Sequence, residues 1–190
     1  MDKRIRILAA AEKLLAVHGF YGLSMKMLAK TAGVAAGTIY RYFDSKDMLM
    51  SQLHQHIRKE AAETIFKGWS NKQTPKQKYD LLWRNAFDAV LSNPQRLTVI
   101  DMLYFIPNEQ QAEITLFEDV AFAPLIDFYQ QGIDEGRFLP WQIPMLITLS
   151  FDTSIELAKK QLRQRFETSE QQINQVRDAS WLIIQQSSLK

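Results

Sequence analysis

Residues 24–46, SMKMLAKTAGVAAGTIYRYFDSK, leave a chain few ways to fold. Ser24 can cap a helix whose inward residues Met25, Leu28 and Ala32 recur at three- and four-residue spacing, and Gly33 then turns the chain within AGV. A third, short helix begins near Ala35. Two short helices at a sharp turn, preceded by a supporting helix, make the arrangement whose last helix can enter the DNA major groove. If Ile39 points into the core, a step of about 100° per residue puts Phe43 and Tyr42 near the same side and sends Gly37 and Arg41 to the opposite one. Thr38 and Tyr40 sit on the flanks. That outward face allows close approach, donates hydrogen bonds and can touch a thymine methyl. Lys46 and Ser24, each at the start of a helix, are placed for phosphates, and Lys26 for a phosphate or a base edge.

Helical periodicity runs through nearly the whole chain, without strand alternation or an Asn-Gly hairpin turn, so the fold class is all-α with about nine helices. Ile7, Ala10, Ala11, Leu14 and Leu15 form the stripe of a first helix that Gly19 ends. Ser45 caps a long helix with Leu49, Leu53, Ile57, Ala61, Ile65 and Trp69 at four-residue intervals. The predicted domains are 1–47, a helix-turn-helix unit, and 48–190, a helical bundle, with helix 48–69 bridging them. Thr74, Pro75 and Gln77 open the next helix by a capping box, and Tyr79, Leu82, Trp83, Ala86, Phe87 and Val90 form its apolar face. A shorter helix to Pro107 follows, then one to about Glu135 with a kink at Pro124 and a stop at Gly136. Two last helices are expected at 142–166 and 168–187, the second capped by Thr168 and Gln171.

The net charge of +2 says little, but its distribution is uneven. Residues 1–60 carry ten Lys and Arg against five Asp and Glu, and the remainder thirteen against sixteen. A basic head on a slightly acidic body fits a protein whose head meets a polyanion. With no cysteine, disulfides, thiol nucleophiles and Cys-ligated metals are excluded. His54 and His56 lie about 200° apart around a helix and do not converge on one metal. There is no Gly-rich phosphate loop and no nucleophile elbow, so the chain reads as no enzyme, with no cofactor and no metal. The basic and apolar amino end is interrupted by Glu12 and Lys13, and no run reaches the roughly 18 apolar residues of a membrane span. The expected location is the cytoplasm.

The segments ILAAAEKLLAVHGF, LSMKMLAKTAGV and GTIYRYFDSKDML, within residues 5–50, resemble the amino-terminal domain of the TetR family of bacterial transcriptional repressors. The resemblance implies phosphate-backbone contacts from Ser24, Thr38, Tyr40, Tyr42 and Lys46, with Lys26, Ala36, Gly37 and Arg41 near base edges. It also implies a homodimer on a palindromic operator, released by a small molecule in the body. One departure stands out: the family commonly has a polar residue and then a long side chain after AGV, where this chain has Ala35 and Ala36. The third helix thus lacks its usual side-chain cap, which shifts more of the recognition to Thr38, Tyr40 and Arg41.

Beyond residue 50 only the layout is similar, including the GIDEGRF turn. By analogy the last two helices pair with their twofold mates through Leu149, Ile155, Leu162, Ile173, Val176, Trp181 and Ile184, unless these pack within the chain. Trp83, Phe87, Met102, Phe105, Phe122 and Phe151 are candidate linings for an apolar or aromatic effector, with Asp152 as a polar anchor, against the alternative that they are plain core. Two further readings stay open: a dimeric helical scaffold without specific DNA binding, and a regulator of this family with no small-molecule ligand.

Overall fold

The computed structural model describes residues 2–104, 119–163 and 167–186. Phe105 and Pro107 lie outside them. Among the described residues ten α-helices follow one another: α1 (Lys3–Gly22), α2 (Met25–Ala32), α3 (Ala36–Tyr40), α4 (Lys46–Ile65), α5 (Pro75–Ser92), α6 (Pro94–Tyr104), α7 (Ala123–Asp134), α8 (Ile143–Leu149), α9 (Phe151–Leu162) and α10 (Glu170–Ile183). Among the described residues there is no strand, only one antiparallel bridge between Phe138 and Gln185. By internal packing the chain divides into two units, Met1–Glu60 with Gln95–Glu113, and Ala61–Pro94 with Ile114–Lys190. The division falls inside α4, and it assigns α6 to the same unit as α1–α3.

In the first unit the apolar stripe of α1 (Ile7, Leu8, Ala11, Leu15) packs with Leu28, Ile39, Phe43, Leu49, Leu53 and Ile57, and with Val99 and Leu103 of α6. Gly19 breaks the regular helix with φ 66 and ψ 178, a conformation that a Cβ disfavours. α4 ends at Ile65, short of the expected Trp69. A turn through Gly68, at φ 86, supplies the stop, and Ala62 rather than Ala61 is buried.

In the second unit the predicted face of α5 is buried in full, and α5 packs along α9. Its capping box is present, with Thr74 accepting from the Gln77 amide and the Gln77 side chain accepting from the Thr74 amide. Pro124 does not kink a helix; it opens α7, where its missing N–H has no helical acceptor to leave empty. The expected helix 142–166 is broken at Ser150, which has φ −123 and ψ −80. Hydroxyls drive the break: Ser150 Oγ donates to the Leu146 carbonyl and Thr153 Oγ1 to that of Ser150, competing with the backbone ladder. The last capping box sits one residue later than predicted, with Ser169 and Gln172. No helix among the described residues is long and apolar enough to cross a membrane.

Candidate nucleic-acid interface

The geometry of α2, the turn and α3 is built from caps and one arginine. Ser24 Oγ accepts from the Met27 amide at 3.2 Å and starts α2. Gly33 stops it in the left-handed region, φ 63 and ψ 41, with the Val34 amide reaching back to the Ala29 carbonyl at 3.0 Å. Arg6 of α1 then donates to the carbonyls of Ala32, at 2.7 Å, and Gly33, at 3.3 Å. The left-handed backbone favours glycine at 33, and a Cβ there, 2.9 Å from that guanidinium, would also push Arg6 aside. This use of Arg6 was missed by the sequence reading, which counted it as free basic charge. Its place facing the turn across α1 becomes visible only in three dimensions.

α3 is five residues long and has no side-chain cap, since Ala35 can supply none. It is held from beneath instead. Ile39 and Phe43 are both fully buried, and the Phe43 amide bonds to the Ile39 carbonyl at 2.9 Å. With those two residues inward, Ala36, Gly37 and Arg41 are exposed, Thr38 is half-buried, and Tyr40 keeps 52% of its surface. Tyr42, expected near the buried side, is 38% exposed, just beyond the end of α3 at Tyr40. A Cβ on Gly37 would meet nothing within 4 Å, and its φ is not positive. Its own fold therefore gives no reason for a glycine, the poorest helix former after proline. Something outside the chain that must approach the backbone would.

The basic residues of the head separate into two groups. Arg4 donates to Gln52 Oε1 at 2.8 Å, and Arg6 to the turn. Lys46 Nζ donates to the carbonyls of Phe20 and Leu23, at 2.7 and 3.0 Å, and lies 4.2 Å from the Phe20 ring centroid. Lys46 thus closes the loop between α1 and α2, with one of its three N–H bonds left to point elsewhere. Lys26, Lys30 and Arg41 are exposed, and so is Ser24. Fewer cations face outward than the charge count implied: besides these three, Lys3 and Lys13 of α1 and Lys59 of α4 are exposed.

The residues proposed for the body fare differently. Trp83, Phe87, Phe122 and Phe151 are buried in the second unit, Trp83 stacking on Phe87 at 5.6 Å and donating to Thr153 Oγ1 at 2.9 Å. Met102 belongs to the first unit, and Phe105 is outside the described residues. Asp152 is half-buried in the first turn of α9, and desolvation pushes its carboxyl above the ordinary range. Of the residues expected at a dimer contact, Ile173, Trp181 and Ile184 are buried within the single chain. Trp181 packs on Tyr79 and Phe138 there, so within the single chain these three belong to the core. Leu149, Ile155 and Val176 are half-buried and Leu162 is exposed, while Leu182 and Ile183, not anticipated, are 58% and 48% exposed. Among the described residues no group of three or more His, Cys, Asp or Glu could hold a metal.

Known proteins match both ends of the chain. Residues 7–53 fit the model described as bacterial regulatory proteins, tetR family, and residues 75–185 a tetracyclin repressor-like C-terminal domain. A TetR family protein from Vibrio parahaemolyticus is similar in structure with a TM-score of 0.88 and 34% identity, over 97% of this chain and 99% of that one. A TetR-family transcriptional regulator from Haemophilus influenzae superposes at 0.84 with 28% identity, covering 97% of each chain. In sequence the chain is 28% identical over 184 residues to an uncharacterised HTH-type transcriptional regulator of Haemophilus influenzae, 97% of this chain and 96% of the relative.

Proposed function

The chain belongs to the TetR family of bacterial transcriptional regulators, and from that premise we propose that it is a cytoplasmic repressor that binds a palindromic operator as a homodimer and leaves it when a small apolar molecule enters the body. The observation that carries the DNA reading is the face of α3: Gly37, Thr38, Tyr40 and Arg41 stand outward while Ile39 and Phe43 anchor the helix from behind. Arg41, Gly37, Ala36 and Lys26 reach base edges. Ser24, Thr38, Tyr40, Tyr42 and the remaining N–H of Lys46 meet phosphates, which position the helix without reading sequence.

Twofold pairing uses the apolar surface that the single chain leaves uncovered on its last helices: Leu149, Ile155, Leu162 and Val176, together with Leu182 and Ile183. The effector is apolar, held among Trp83, Phe87, Phe122 and Phe151 with Asp152 at its polar end. In keeping with an apolar effector, a Bacillus subtilis protein 30% identical over 101 residues is named a fatty acid metabolism regulator protein.

Selection of bound duplexes from a random pool tests the central claim. A palindromic consensus is expected, with half-sites spaced about one duplex turn, roughly 34–36 Å, or a multiple of it. Affinity should fall steeply with salt. A pool that returns no consensus, or a chain that stays monomeric at micromolar concentration and on DNA, overturns the reading.

A further inference from the structure

α6 carries a guanidinium that joins two other helices of the first unit. Arg96 Nε donates to Glu12 Oε1 at 2.8 Å and Nη2 to Glu12 Oε2 at 3.1 Å, while the same Nη2 donates to Glu60 Oε2 at 2.8 Å. Glu12 lies on α1 and Glu60 on α4. One nitrogen thus holds a carboxylate from each helix, and the two oxygens cannot lie farther apart than the sum of those two bonds. His56 meets Glu60 Oε1 at 3.3 Å from the other side. Arg96 and Glu12 are largely covered, with side-chain exposures of 26% and 17%, so the bonds are less screened than surface pairs. Below them Val99 and Leu103 of α6 complete the core that also holds Ile39 and Phe43, the anchors of α3.

The chain path gives this cluster a second property. Glu60 is the last residue before the chain leaves the first unit, and Arg96 is the second residue after it returns. The Arg96–Glu60 pair therefore ties together two of the points at which the chain passes between units.

We propose that Arg96 is a positioning residue for DNA binding: by holding Glu12 and Glu60 it fixes α1 against α4, and withdrawal of α6 replaces that attraction by repulsion between the two carboxylates. Arg96 touches no DNA in this scheme. It acts through the α1–α4 spacing that sets where α3 sits. The proposal rests on the DNA-reading function above.

The test compares full-length wild type, R96Q and the charge-neutral triple R96Q/E12Q/E60Q on the selected duplex over a series of salt concentrations. R96Q is expected to bind about tenfold more weakly, within the range of coupled polar networks. Its salt slope should equal that of wild type, because no phosphate contact is lost; a direct contact would reduce the slope by about one. Removing both carboxylates should restore affinity to within about threefold of wild type, since the repulsion goes with them. Wild-type affinity in R96Q, a reduced slope, or a triple variant as weak as R96Q overturns the proposal. Amide hydrogen exchange without DNA separates the two claims: R96Q should speed exchange in α2 and α3, and the triple should slow it again. If the wild type selects no duplex, the function proposed above falls, and unchanged exchange in R96Q sinks the clamp by itself.

Discussion

Four tyrosines set the two units apart. On the head, Tyr40 and Tyr42 keep 52% and 38% of their surface. In the body, Tyr79 and Tyr129 are sealed at 1% and 0%, and each hydroxyl is hydrogen-bonded at 2.7 Å, Tyr79 to Ser180 and Tyr129 to Ser150. Burial raises both body phenols well above their ordinary pKa, with the serine hydrogen bonds opposing it in part. The same side chain is left exposed in one unit and is a satisfied rivet in the other. Polarity alone does not mark a recognition surface; a polar group without a covering neighbour does. Two glycines repeat the contrast. Gly132 on α7 exists because Phe138 lies where its Cβ would be, whereas Gly37 on α3 faces open space.

The largest effect should come from Gly132→Ala. The Phe138 ring is itself buried and packed against Phe128, Tyr129 and Trp181, so it has little room to yield. A loss of about 3 kcal/mol is expected in denaturant unfolding, and a fall of under about 1 kcal/mol would break the contrast. Tyr40→Ala comes next, with about tenfold weaker operator binding from one lost backbone contact and an unchanged melting curve. If folding suffers as much as binding, Tyr40 is structural. Gly37→Ala sharpens the comparison most, because its two readouts should move in opposite directions. The helix gains about 0.5–1 kcal/mol in thermal unfolding, while titration should show several-fold weaker DNA binding.

Tyr129→Phe should cost about 1 kcal/mol without touching DNA affinity. Asp152→Asn is the smallest change and carries a pH signature. A carboxyl whose folded pKa is raised binds its proton more tightly when folded, so its ionised form opposes folding above that pKa, and the penalty fades as pH falls toward the ordinary value of 3.8. The asparagine variant should therefore melt slightly higher at neutral pH, and the advantage should shrink in acid. An advantage that persists at low pH would mean that burial of the charge is not its source.

The head was the more legible unit. Ser24, Gly33, Ile39 and Phe43 act through short-range rules of capping, turning and periodicity, so their positions follow from their neighbours in sequence. The engagement of Arg6 and Lys46 with backbone carbonyls 26 residues away could not be read so, because basic side chains look alike until the groups they face are known. In the body, periodicity correctly gave the buried face of α5 but not the break at Ser150. No glycine or proline marks that site, and the hydroxyl bonds that compete with the ladder there leave no trace in apolar periodicity. The expected dimer residues Ile173, Trp181 and Ile184 show the corresponding limit. An apolar stripe says that a face is covered, without saying whether the cover comes from the same chain.

The bare amino end of α3 also has a thermodynamic corollary. With only five residues in the helix, its first turn closes through the Thr38 amide on the Ala35 carbonyl at 2.9 Å, but Ala35 offers no side chain to cap the amides before it. In the free protein those amides should trade their hydrogens almost as fast as an unstructured peptide. Contact with the duplex must then order them, so association will show an unfavourable conformational entropy localised at Ala36 and Gly37, and a polar residue engineered at position 35 would lower that penalty before a single base is touched.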